Sequence, residues 1–340
     1  MLPRTSICLH IPKTGSTWVD WFFNAADWLA IRRKLASRRL AMPRRTSLAL
    51  VRRIKRHGPA FGNLNCRIGN HHVGYAGLPE SLRRLPKLAV LRDLEGWYAS
   101  FYLYYTGVMK RTMLTETIRL LVHGEDCHVG ASARKVLLAN GQEFRERFAR
   151  EDAAPGSVGP VSVGFLLWFQ QVVRLPVLMK SELDIDDMPA GPGFLTCRAI
   201  SMLFEDPARV LQMEAGDFDA YFAGSAWLRD LRCDYLLSNS GLSDGLAEVM
   251  VDRLGYDAEI VAFLKARRWQ RNSARAADRA RVLRILRAEK VFAAVRRAER
   301  VYETCLLPLA GARLAGENRE PAGLPPHDSG RSEVKATDDA

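Results

Sequence analysis

The stretch from Ile7 to Phe23, ICLHIPKTGSTWVDWFF, constrains this chain more than any other. Ile7 to His10 reads as a buried strand. From Trp18 the apolar residues fall at Trp18, Trp21, Phe22, Ala25, Ala26 and Leu29, which is helical spacing. Between them lies a turn holding Lys13, Thr14, Gly15, Ser16 and Thr17. The segment therefore predicts strand, tight turn and helix. A turn placed there has helix-initial amides pointing outward and the positive end of the helix dipole behind them, the ordinary setting for an anionic group. Gly15 lets the backbone come close, Lys13 adds a full charge, and Thr14, Ser16 and Thr17 add hydroxyl donors.

Further strands are expected at Leu88–Leu91 and Cys233–Ser238. Helices are expected from Pro79, after Asp93, across much of 114–150 and 160–175, over Leu242–Leu254 with a stop at Gly255, and over Ala274–Cys305. Strands alternating with helices predict an α/β fold, a central parallel sheet flanked by helices, with ligands at the carboxyl ends of its strands. One domain is expected over 1–315, with a basic insertion at 32–57, acceptor-side helices and loops over 107–230, and a disordered polar tail at 316–340.

The formal charge of +12 favours an anionic partner. The basic segment Arg32–His57 has no acidic residue and carries interleaved leucines. Plain solvation, docking of an acidic acceptor, and peripheral contact with anionic lipid are its three readings. The six cysteines are scattered with no CxxC pairing, no leader segment is read at Met1–Ser6, and no apolar run is long enough to span a bilayer. A cytoplasmic protein, at most peripheral at the inner face of the membrane, is the expectation. No metal-ligand spacing is read, so no metal is expected. The turn is also unlike the GxxxxGK[ST] nucleotide loop, because its lysine precedes the glycine.

PKTGSTW resembles the 5′-phosphosulfate loop of the sulfotransferases that use 3′-phosphoadenosine 5′-phosphosulfate (PAPS). Its HIPKTG form is similar to the carbohydrate and bacterial branches, and its GSTW ending to the small-molecule branch. A second stretch, VLRDLEGWYASFY, resembles the family's strand-end arginine followed eight residues later by a serine, here Arg92 and Ser100. Leu94 stands where the family often has proline. CDYLLSNSGLSDGLAEVMVDRLGYD and RRWQRNSAR are fainter echoes of a later strand–loop–helix and of a cofactor-approaching Asn–Ser segment, here Asn272 and Ser273.

The resemblance implies a P-loop-like fold of the sulfotransferase and nucleotide-kinase type. It implies PAPS as co-substrate, its 3′,5′-bisphosphate (PAP) as product, and a carbohydrate, glycolipid or small-molecule hydroxyl as acceptor. Nucleic acid is not expected as a partner. Lys13 would stabilise the leaving oxygen. Thr14, Gly15, Ser16 and Thr17 would hold the 5′ end, and Arg92 with Ser100 the 3′-phosphate. His72, in His72-Val73-Gly74-Tyr75, matches the position of the family's base, with His71 the alternative one residue away. Trp18 has two readings, stacking on adenine or core packing. Two other function classes stay open: another mononucleotide-binding phosphotransferase, and a non-catalytic polyanion-binding protein.

Overall fold

The computed structural model describes residues 6–37, 63–65, 67–68, 71–107, 183–266, 276–288 and 290–311, with residues 167, 170, 175 and 179 singly. Most of the basic segment, most of 107–183, Asn272, Ser273 and the tail from 316 lie outside the described residues. The chain is mixed α/β. Its main sheet runs in the order β2 (Asn63–Asn65), β1 (Ser6–Leu9), β5 (Lys87–Leu91), β6 (Tyr235–Ser238), with every neighbouring pair parallel. A separate two-stranded ribbon pairs β3 (Arg67–Ile68) antiparallel with β4 (His71–His72).

The strands read as continuous apolar runs because the sheet is covered on both faces. Along β1 and β5 successive side chains alternate between two cores. Ile7, Leu9, Ala89, Leu91 and Leu236 enter one core, and Cys8, Leu88, Val90 and Leu237 enter the other. The second core is closed by α1 (Ser16–Ser37), which supplies Val19, Phe22, Phe23 and Ala26. The first is closed by a helix after β5, Leu94–Gly107, which supplies Trp97, Tyr98, Phe101 and Tyr102.

Numbered in chain order, Glu80–Arg83 is α2, Leu94–Gly107 is α3, and Phe194–Leu203 is α4. Short helices α5 (Pro207–Leu211), α6 (Ala215–Ala223) and α7 (Trp227–Asp230) lead into β6. Beyond β6 lie α8 (Leu242–Glu248), a π-turn at Val249–Arg253, and α9 (Ala258–Ala266). Gly255, at φ +74°, ends that helical run in the left-handed conformation a glycine stop provides. α10 (Ala276–Ala288) and α11 (Lys290–Ala298) follow, and α10 packs on α3. No described helix is long and apolar enough to cross a membrane.

One buried acid ties the last helices to the rest. Glu299 is fully buried. Its carboxylate accepts from the amides of Leu195 and Thr196 at 2.7 Å each, from the Thr196 hydroxyl at 2.7 Å and from the Tyr98 phenol at 2.6 Å. It thus caps the amino end of α4 while reaching across to α3. Burial raises its carboxyl above the ordinary range, and the donors pull the other way.

Candidate functional site

The loop between β1 and α1 sits at the carboxyl end of its strand. Gly15 is the N-cap: its carbonyl accepts from the amides of Trp18 at 2.9 Å and Val19 at 3.2 Å. The four carbonyls before it also have donors. The buried Thr14 hydroxyl reaches Ile11 O at 2.8 Å, and Trp97 Nε1 reaches Pro12 O at 2.6 Å. Arg92 Nη1 reaches Lys13 O at 3.1 Å, and Asn239 Nδ2 reaches Thr14 O at 2.6 Å.

Five consecutive carbonyls, Ile11 to Gly15, are therefore held by donors of the protein itself. In a trans peptide the C=O and N–H point in opposite directions, and no cis peptide occurs among the described residues. Holding the carbonyls of Lys13, Thr14 and Gly15 thus turns the amides of Thr14, Gly15 and Ser16 away from those donors. Positive φ at Lys13 (64°) and Gly15 (116°) flanks Thr14, which has no positive φ. That alternation of hand is how a chain makes a concave nest of amides for an anion. Gly15 is required twice over. Its φ suits glycine, and a Cβ there would lie 2.8 Å from Asn239 Nδ2 and 2.9 Å from Leu242 Cδ2.

Lys13 is half-buried, and burial pulls its ammonium down to about 8. It would recover full charge beside an anion. Arg92 stands at the end of β5. Its backbone amide donates to the Tyr302 phenol, and that phenol donates to its backbone carbonyl, each at 2.9 Å. Among the described residues its buried Nε has no hydrogen-bond partner. Burial, and then the neighbouring Arg279 guanidinium, pulls Arg92 below the ordinary guanidinium range. Asp93 and Tyr302 push the other way.

Arg279, from the first turn of α10, lies over Gly96. A Cβ on that glycine would fall 2.8 Å from Arg279 Nη2 and 2.5 Å from Asp93 Oδ2. Asp93 itself accepts from the Gly96 amide at 2.6 Å, opening α3. Two guanidinium groups and an orphaned buried N–H beside a helix start are a setting that an anionic group would neutralise. Ser100 is half-buried one turn along α3 from Gly96.

The structure thus brings Lys13, Thr14, Gly15 and Arg92 together, with Ser100 on the adjoining helix. It puts one expected hydroxyl to other use and gives Trp18 the second of its two readings. The Thr14 hydroxyl faces inward onto Ile11 O, so only its backbone is turned outward. Trp18 packs against Phe22 with ring centroids 4.8 Å apart, joining the core beneath α1. The backbone of Ser16 and Thr17 opens α1, and that of His71 and His72 forms β4; the side chains of all four lie outside the described residues, as do Asn272 and Ser273.

Asn239, Trp97, Arg279 and Tyr302 were not assigned to the site from sequence. Asn239 had a signal, since it directly follows a predicted parallel strand. Trp97 reads as a core aromatic, which it also is. Arg279 and Tyr302 lie on helical stretches with no local mark of their role. Among the described residues no group of three or more His, Cys, Asp or Glu side chains is gathered as a metal ligand set. The chain matches no protein-family model, no curated protein and no solved structure.

Proposed function

We propose that this chain is a PAPS-dependent sulfotransferase with a P-loop-like nucleotide site, acting on a hydroxyl of a carbohydrate, glycolipid or small molecule. One observation carries the reading. The Arg92 guanidinium meets the Lys13 carbonyl at 3.1 Å, so two stretches that each resemble a phosphate-binding motif of that family form one continuous site. A nucleotide with an anionic group at both its 5′ and 3′ positions is the ligand such a site fits.

In this reading the amides of Thr14, Gly15 and Ser16 hold the 5′ end. Arg92, with its unused Nε, takes the 3′-phosphate together with Arg279 and Ser100. PAPS supplies the sulfuryl group. One S–O bond to a phosphate oxygen breaks as another forms to the acceptor hydroxyl. The charge left on the departing oxygen is met by the Lys13 ammonium and the loop amides, and the hydroxyl proton passes to the imidazole of His72. A transfer of this kind depends on positioning and charge stabilisation, and a loop braced at five carbonyls supplies positioning. We place the reaction in the cytoplasm, with Cys197, Cys233 and Cys305 as free thiols.

Thermal stabilisation by PAP, AMP, magnesium ATP and a polyanion tests the reading, followed by transfer of labelled sulfate from PAPS to a panel of glycans and lipids. Stabilisation by PAP well beyond AMP, with transfer to a hydroxyl acceptor, is expected. A preference for magnesium ATP would point to a phosphotransferase. A response to the polyanion alone would point to a binding protein without catalysis.

A further inference from the structure

Tyr302 is fully buried and comes from a helical segment, 210 residues beyond the Arg92 it touches. Its hydroxyl uses both of its capacities on one residue, accepting from Arg92 N–H and donating to Arg92 C=O, each at 2.9 Å. Arg92 is the first residue past β5, where the ladder to the neighbouring strands has ended. The last sheet-side bond there runs from the Asn239 amide to Leu91 O at 2.8 Å. Immediately afterwards the chain turns into α3, with Trp97 N–H on Asp93 O. Arg92 therefore sits at the point where the backbone leaves the sheet, and the phenol replaces the missing strand.

The guanidinium of the same residue is aimed by this clasp. It reaches back to Lys13 O while its buried Nε has no hydrogen-bond partner among the described residues. A buried N–H left over in this way is of use only if the backbone holds it in one direction. Among the described residues the hydrogen bonds of the Tyr302 hydroxyl go to Arg92 alone.

We infer that Tyr302 is a positioning residue that aims the Arg92 guanidinium at the second anionic group of the nucleotide, and so sets the preference for a 3′,5′-bisphosphate over a 5′-monophosphate. The inference rests on the nucleotide reading above. Tyr302→Phe keeps the ring in its packing and removes only the hydroxyl. Tyr98→Phe is the matched control, because it removes a buried phenol that bonds Glu299 rather than Arg92.

PAP and AMP affinities are measured by calorimetry for the wild type and both variants. Tyr302→Phe is expected to bind PAP about tenfold more weakly with AMP affinity unchanged, the size of one aligned hydrogen bond to a charged group. Tyr98→Phe is expected to lower the melting temperature and keep the PAP-to-AMP ratio. In an Arg92→Ala background the Tyr302→Phe effect is expected to vanish. A Tyr302→Phe protein with the wild-type ratio, or an effect that persists without Arg92, overturns the positioning role. A wild type that does not prefer PAP over AMP overturns the nucleotide reading instead.

Discussion

Replacing Gly15 by alanine tests the loop geometry directly. The residue stands at φ +116°, a conformation in which a non-glycine residue costs about 1–3 kcal/mol. The added methyl would also lie 2.8 Å from Asn239 Nδ2 and 2.9 Å from Leu242 Cδ2. Overpacking of that kind costs about another 1–3 kcal/mol. The sum is about 2–6 kcal/mol, or roughly 3–8 °C in melting temperature for a chain of 340 residues. Gly255→Ala separates the two contributions. That glycine is also left-handed, at φ +74°, but no atom of the described residues lies within 4 Å of its Cβ position, so it should lose about 1–2 kcal/mol of backbone strain. Pushing Asn239 aside would also release Thr14 O, and the amide nest would open. Gly15→Ala is therefore expected to lose PAP stabilisation as well. The assay is denaturant unfolding of both variants, and of Gly15→Ala combined with Asn239→Ala, which should cost about 1–2 kcal/mol less than the sum of the singles. A Gly15→Ala protein no less stable than Gly255→Ala would refute the close packing behind the loop. Strict additivity with Asn239→Ala would refute Asn239 as the obstacle.

Three further outcomes are expected. PAP affinity should hold below about pH 8 and fall by up to about tenfold per pH unit above it, as the Lys13 ammonium loses its proton, with Lys13→Gln giving a flat profile by calorimetry. In the ligand-free protein the sign is opposite. The folded value near 8 lies below the ordinary 10.5, so the unfolded chain holds more protons between them, and stability relative to Lys13→Gln should rise across that window. Glu299→Ala strands the Tyr98 and Thr196 hydroxyls and the Leu195 and Thr196 amides, and by thermal denaturation should cost about 3 kcal/mol or more. Recovery of wild-type stability in that variant would remove Glu299 as the cap of α4.

The sequence alone determined the elements that nucleate the site. The run from Ile7 and the helical stripe from Trp18 are local periodicities, and a local period is set by which face must leave water. Parallel pairing was legible for the same reason, since apolar runs without alternation belong to strands covered on both faces. Lys13 and Gly15 stood out by their company, with three hydroxyl residues in the same strand-to-helix turn and Arg92 and Ser100 at a second such junction. The roles of individual polar atoms were not legible. Whether the Thr14 hydroxyl faces a ligand or Ile11 O depends on the loop's φ values. Trp18 joins Phe22 because α1 presents that edge to its own core. Asn239, Arg279 and Tyr302 come to the site from 147, 187 and 210 residues beyond Arg92. A hydrogen bond is decided within about 3 Å. No periodicity in a chain reports which of its distant donors will arrive at that distance once two cores have closed around a sheet.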